Sequence, residues 1–137
     1  MNGQAVTFDS MRLALVGVPN CGKTALFNRL TGSRQHVANY AGVTVERKEG
    51  SFVGPARQRL YKVLDLPGAY SLTPTTLDEA ITRDFLLGRL AEEPPPDFIV
   101  CVVDATNLRL NLRLVVELRD IGVPMVVALN MSDLAAS

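Results

Sequence analysis

One stretch, "RLALVGVPNCGKT", constrains this chain more than any other. Residues 12–18 form a nearly unbroken apolar run, and its Gly17 opens the pattern glycine, four residues, glycine, lysine and threonine. An apolar run this short, with little polar alternation, reads as a strand buried on both faces. The glycine-framed loop after it lets backbone N–H groups close around an anion. "KTALFNRLTG" then places Ala25, Leu26 and Leu30 at helical spacing and stops at Gly32. A strand, a tight loop and a helix in that order open an α/β fold.

Two further runs, at 97–104 ("DFIVCVVD") and 123–130 ("VPMVVALN"), share the character of the first. The predicted fold is a doubly wound α/β domain with a mostly parallel sheet and one antiparallel edge strand. Thr76 and Glu79 form a capping-box pattern ahead of a helix whose apolar face is Leu77, Ile81, Phe85 and Leu90. In "NLRLNLRLVVELRD", Leu108, Leu110, Leu112 and Leu114 alternate as in a strand. Two buried parallel strands need a crossover, so the segment is assigned to a helix. Strands are expected near 45–53 and 59–66, joined by "GPARQ", with residues 37–50 loop-like at their start.

The 137 residues suffice for one hydrophobic core, so residues 1–137 are read as one partial domain with a loose leader at 1–10. Fourteen basic and fourteen acidic residues cancel and no basic block stands apart, so nothing favours a nucleic-acid partner. The longest apolar runs fall far short of the roughly 20 residues of a membrane helix, and the chain itself is expected to be soluble. Cys21 and Cys101 lack both metal-ligand spacing and the density of a disulfide scaffold.

Three motifs carry chemistry. In "GVPNCGKT", Lys23 is suited to the β and γ oxygens of a nucleotide and the Thr24 hydroxyl to Mg²⁺. In "DLPG", Asp65 ends a strand and suits Mg²⁺ through water, while the Gly68 N–H suits a γ-phosphate. In "NMSD", the Asp133 carboxylate, with the Asn130 amide beside it, accepts from the ring N–H and amino group of guanine, a pattern adenine lacks. Taken in order, the three favour GTP over ATP. Thr44, in the intervening segment, is a candidate to complete the Mg²⁺ shell.

Together "GVPNCGKTALFN", "VANYAGVTVERKEG", "DLPGAYSL", "VVDATNLRLNL" and "ALNMSD" resemble the cytosolic G domain of the FeoB ferrous-iron transporters, over about residues 13–133. The resemblance implies a nucleotide site of Gly17, Val18, Pro19, Asn20, Cys21, Gly22, Lys23, Thr24 and Ala25. Gly42, Val43 and Thr44 join it, as do Asp65, Leu66, Pro67, Gly68, Asn130, Met131 and Asp133. It makes Lys23, Asn20, Thr44 and Gly68 catalytic, and Thr24, Thr44 and Asp65 the Mg²⁺ residues. It also implies a potassium ion held by Asn20 and by the backbone of Ala38 and Tyr40. Such an ion would serve a chain whose residue after the third-motif glycine is Ala69, where Ras-like enzymes carry a water-orienting glutamine. Met131 stands where most GTPases have a lysine.

The resemblance further implies control of iron(II) transport by a permease domain, at the cytoplasmic face of the bacterial inner membrane. No fifth motif follows Ser137, so the chain is expected to be a fragment that self-associates through the edge at 123–130 or binds GTP weakly. The alternatives are a ribosome-assembly or tRNA-modification GTPase and a nucleotide-sensing module with negligible turnover. Cys21 is read as a packing residue, His36 as a solvated loop residue and Tyr40 as either a stacking group or an exposed aromatic.

Overall fold

The computed structural model describes residues 10–54, 59–73 and 75–130. Six strands form one sheet: β1 (Ser10–Gly17), β2 (Gln35–Asn39), β3 (Glu46–Val53), β4 (Leu60–Asp65), β5 (Phe98–Asp104) and β6 (Met125–Asn130). Their spatial order is β2-β3-β4-β1-β5-β6. The pairs β1/β4, β1/β5 and β5/β6 are parallel, and β3 runs against both β2 and β4. The antiparallel strand is therefore next to the edge. The edge itself is β2, which forms from residues that the sequence assigned partly to a loop; the β2/β3 ladder uses residues 35–39 and 46–50. Of "GPARQ", residues 55–58 lie outside the described residues.

Successive residues of β1 point to opposite faces, and both faces are covered. Leu13 and Leu15 join Val63 and Phe27 of α1 (Lys23–Thr31) on one side. On the other side, Ala14, Val16, Leu64, Ile99 and Cys101 pack against Phe85 and Leu86 of α2 (Leu77–Leu86) and Leu114 and Leu118 of α3 (Leu108–Arg119). This double burial is why the central strands show no alternation in sequence.

The helices correct three expectations. In α1 the anchor is Phe27, fully buried; Leu26 and Leu30 are half-buried and Ala25 is exposed. α2 stops at Leu86, before Leu90, because Gly88 turns the chain at φ 72° and Arg89 N–H donates to the Asp84 carbonyl at 2.7 Å. Leu77 at its start is exposed, while Ile81 and Phe85 are buried and Leu90 still packs on the core from beyond the helix. In α3 the strand-like leucine alternation dissolves: Leu114 is buried, whereas Leu108, Leu110 and Leu112 are exposed. No helix among the described residues is long and apolar enough to cross a membrane.

Candidate nucleotide site

β1 delivers its last residue into the phosphate loop, whose path is set by two left-handed residues, Asn20 at φ 66° and Gly22 at φ 97°. Asparagine is among the few side chains that tolerate this region. Gly17 and Gly22 are needed for space as well. A Cβ on Gly17 would lie 2.5 Å from Cys21 Sγ, and one on Gly22 would overlap the Asn130 side-chain amide. Cys21 is buried, and burial raises its thiol pKa against the opposing influence of Lys23, so it packs rather than reacts.

Lys23 opens α1 with its side chain buried, and its Nζ pairs with Asp65 Oδ1 at the end of β4. Around this pair lies a cleft of about 320 Å³ bordered by Thr24, Thr44, Asp65, Leu66 and Pro67, with Glu46, Lys48 and Asp78. An adjoining cleft of about 560 Å³ is bordered by Val18, Pro19, Asn20, Gly22, Thr24, Ala25, Gly68 and Asp78, and Lys23 faces both. Two hydroxyl-bearing residues and a carboxylate bordering one cleft form an oxygen donor set that suits a hard divalent cation. The residues expected to hold Mg²⁺, Thr24, Thr44 and Asp65, thus fit such an ion.

The three residues assigned to potassium do not come together in this way. Asn20 borders the second cleft, but neither Ala38 nor Tyr40 borders either one. Ala38 sits in β2 opposite Arg47. Tyr40 accepts through its carbonyl from Val43 N–H at 3.2 Å and donates to the Val45 carbonyl at 3.0 Å, closing a turn with Gly42 at φ 78°. Its ring is buried with Val45 and Ile81, with Val43 packed alongside, so it is neither exposed nor a stacking platform. His36 is exposed on β2.

The third motif is anchored from several directions. Leu66 N–H donates to the Leu15 carbonyl and Ala69 N–H to that of Gly17, at 3.2 and 3.0 Å. Gly68 lies against the phosphate loop, where a Cβ would be 3.0 Å from both Pro19 N and Cα. Beyond it, Glu79 accepts from Tyr70 N–H, Thr75 N–H and the Thr75 hydroxyl at 3.0, 3.0 and 2.9 Å. Leu72 N–H donates to Glu117 of α3 at 2.5 Å. The expected capping box is present: Thr76 Oγ1 accepts from Glu79 N–H, and the buried Glu79 carboxylate turns back toward the Thr76 N–H while it also holds the preceding loop. These bonds, led by that from Thr75 N–H, lower the Glu79 pKa.

Glu79 and Asp78 are the residues that motif reasoning missed. Their signal is an acidic pair opening a helix soon after the third motif, of which the capping-box pattern accounts for Glu79 alone. At the far side, Asn130 ends β6 with its Nδ2 donating to the Cys21 carbonyl at 2.9 Å; Met131 and Asp133 lie outside the described residues.

The profile of the family described as "Ferrous iron transport protein B" matches residues 11–137. The chain belongs to the FeoB family. It is 50% identical over 129 residues to the Fe(2+) transporter FeoB of Escherichia coli K12, covering 91% of this chain and 16% of that protein. The G domain of T. maritima FeoB superposes with a TM-score of 0.82 at 40% identity, covering 93% of this chain and 76% of the other. A GDP-bound A143S mutant of the S. thermophilus FeoB G domain gives 0.79 at 45% identity, covering 92% and 45%. The fold is thus that of a FeoB G domain, and the chain spans 14% to 16% of the first curated relatives it matches. FeoB membership displaces the ribosome-assembly and tRNA-modification alternatives.

Proposed function

We propose that this chain binds and hydrolyses GTP in a Mg²⁺-dependent, K⁺-stimulated manner, and that its nucleotide state controls iron(II) passage through a membrane permease domain of the full-length protein. That protein would place this domain at the cytoplasmic face of the bacterial inner membrane. The observation that carries the reading is the meeting of Lys23, Thr24, Thr44 and Asp65 on one cleft. The GDP-bound relatives of the same fold support it.

In the reaction, water attacks the γ-phosphorus, the bond to the β,γ-bridging oxygen breaks, and GDP and phosphate leave. Lys23 leaves Asp65 to neutralise charge on the β and γ oxygens, and the backbone N–H groups of the phosphate loop share that load. Thr24 and Thr44 would hold Mg²⁺ directly and Asp65 through water; the ion supplies further charge neutralisation when bound. The fourth motif, with Asn130, Met131 and Asp133, would read the guanine. Ala69, fully buried, has no group to orient water, which makes a slow intrinsic rate the expected one.

Phosphate release from GTP with Mg²⁺, in K⁺ and in Na⁺, tests the reading. The expected result is release that stops with chelator and is faster in K⁺. GTP binding with no single-turnover release would instead establish the nucleotide-sensing module. Equal rates in K⁺ and Na⁺ would remove the potassium part.

We also propose that the chain self-associates through β6, which lies at the opposite edge of the described sheet from β2 and where Val126, Val127 and Leu129 are exposed. Light scattering should show a species larger than 14.9 kDa; a monomer at all concentrations would refute this.

A further inference from the structure

Thr82 lies in the middle of α2 and is fully buried. A helical threonine commonly returns its hydroxyl to the carbonyl one turn earlier. Thr82 does not: its Oγ1 donates to the carbonyl of Pro67, 15 residues away, at 2.9 Å. The hydroxyl has a single proton, so its donor capacity is spent on the third-motif loop.

The consequence falls on the next residue. The peptide joining Pro67 to Gly68 is planar and trans, so its carbonyl and its N–H point in opposite directions. Fixing the carbonyl toward α2 fixes the Gly68 N–H away from it. Gly68 there abuts Pro19 of the phosphate loop and borders the larger cleft with Lys23. Leu66 and Ala69 both donate their N–H groups to β1 carbonyls and proline has none. The Gly68 N–H is the one donor of residues 66–69 without a partner among the described residues. Glycine can adopt either orientation of such a peptide, so something outside it must select one.

We infer that Thr82 is a positioning residue: its hydroxyl holds the 67–68 peptide so that the Gly68 N–H is presented to a terminal phosphate. This rests on the GTP reading above. The two ligands that separate the roles are GDP, which has no γ-phosphate to meet that N–H, and a non-hydrolysable GTP analogue, which has one.

The test measures both affinities for the 137-residue chain and for Thr82→Val, which keeps shape and branching, and Thr82→Ser, which keeps the hydroxyl. In Thr82→Val the analogue-to-GDP affinity ratio should fall about fivefold, the worth of about one hydrogen bond, and Thr82→Ser should restore it. A Val variant with an unchanged ratio, or a Ser variant no better than Val, overturns the inference. An unaltered chain that binds neither nucleotide sinks the GTP reading itself, a separate outcome.

A second measurement needs no variant. The Gly68 amide resonance should move strongly with the analogue and little with GDP, and equal movement with both overturns the inference.

Discussion

The amide of Asn130 donates to the carbonyl of Cys21 across a separation of 109 residues, 2.9 Å from Nδ2 to oxygen. The end of β6 and the phosphate loop are therefore joined directly. The join passes over Gly22, whose missing Cβ is the space the amide occupies. A residue read from sequence as part of a guanine reader is thus also the brace of the phosphate loop.

Removing the brace and blocking it should differ. Asn130→Ala loses about 1 kcal/mol through the lost hydrogen bond. Gly22→Ala both collides with Asn130 and forces a side chain to φ 97°, so it should cost about 3 kcal/mol. Urea unfolding of the two variants without nucleotide measures the order; a Gly22→Ala protein as stable as Asn130→Ala would show that the close approach does not constrain the loop.

The Lys23–Asp65 pair is buried on both sides, so breaking it should be costly. Asp65→Ala leaves a buried ammonium without its carboxylate, an expected loss of about 3 kcal/mol. Removing both partners in Lys23→Met/Asp65→Ala should recover part of that loss. If the double variant is less stable than the sum of the single losses predicts, the pair is not acting as charge compensation.

How much of this was legible follows from which forces act locally. The phosphate loop was readable because Gly17, Gly22, Lys23 and Thr24 are each fixed by a nearby geometric need. The central strands were readable because burial on both faces writes itself into composition. β2 was not, since residues 35–39 are all exposed and their pairing with β3 carries no hydrophobic signature. Tyr40 was misjudged for a related reason: its burial comes from Ile81, 41 positions further along in another element. Glu79 looked like a helix cap because only the fold shows that the loop behind it returns to its carboxylate. Thr82 gave no signal at all, as one hydroxyl in a helix carries no periodicity.

Glu79 should leave a trace in the pH dependence of stability. Its folded pKa lies below the ordinary 4.5, chiefly through the Thr75 N–H bond, then the Tyr70 N–H and Thr75 hydroxyl bonds. A depressed carboxylate contributes stability above its unfolded pKa and loses it as pH falls through the folded value. Glu79→Gln should therefore be destabilised near pH 7 and show a shallower acid limb below about pH 4.5, the unfolded range of a glutamate. Thermal unfolding from pH 3 to 7 checks this, and parallel curves for the two proteins would remove Glu79 as the loop's anchor.

Asn20 has two separable reasons to be where it is. Its backbone occupies the left-handed region, and its side chain borders the cleft beside Lys23 and Gly68. Asn20→Gly satisfies the backbone and deletes the amide; Asn20→Ala deletes the amide and strains the backbone by about 1 kcal/mol. If the amide is the potassium ligand, both variants should lose the K⁺ over Na⁺ rate advantage while Gly keeps the unfolding midpoint and Ala lowers it. If Asn20→Gly retains the advantage, the amide is not a ligand and asparagine is there for its conformation. This comparison decides the question better than alanine alone, because a strained loop would also lower the rate. With neither Ala38 nor Tyr40 among the residues that border the two clefts, Asn20 is the one proposed potassium ligand that this arrangement already brings to the site.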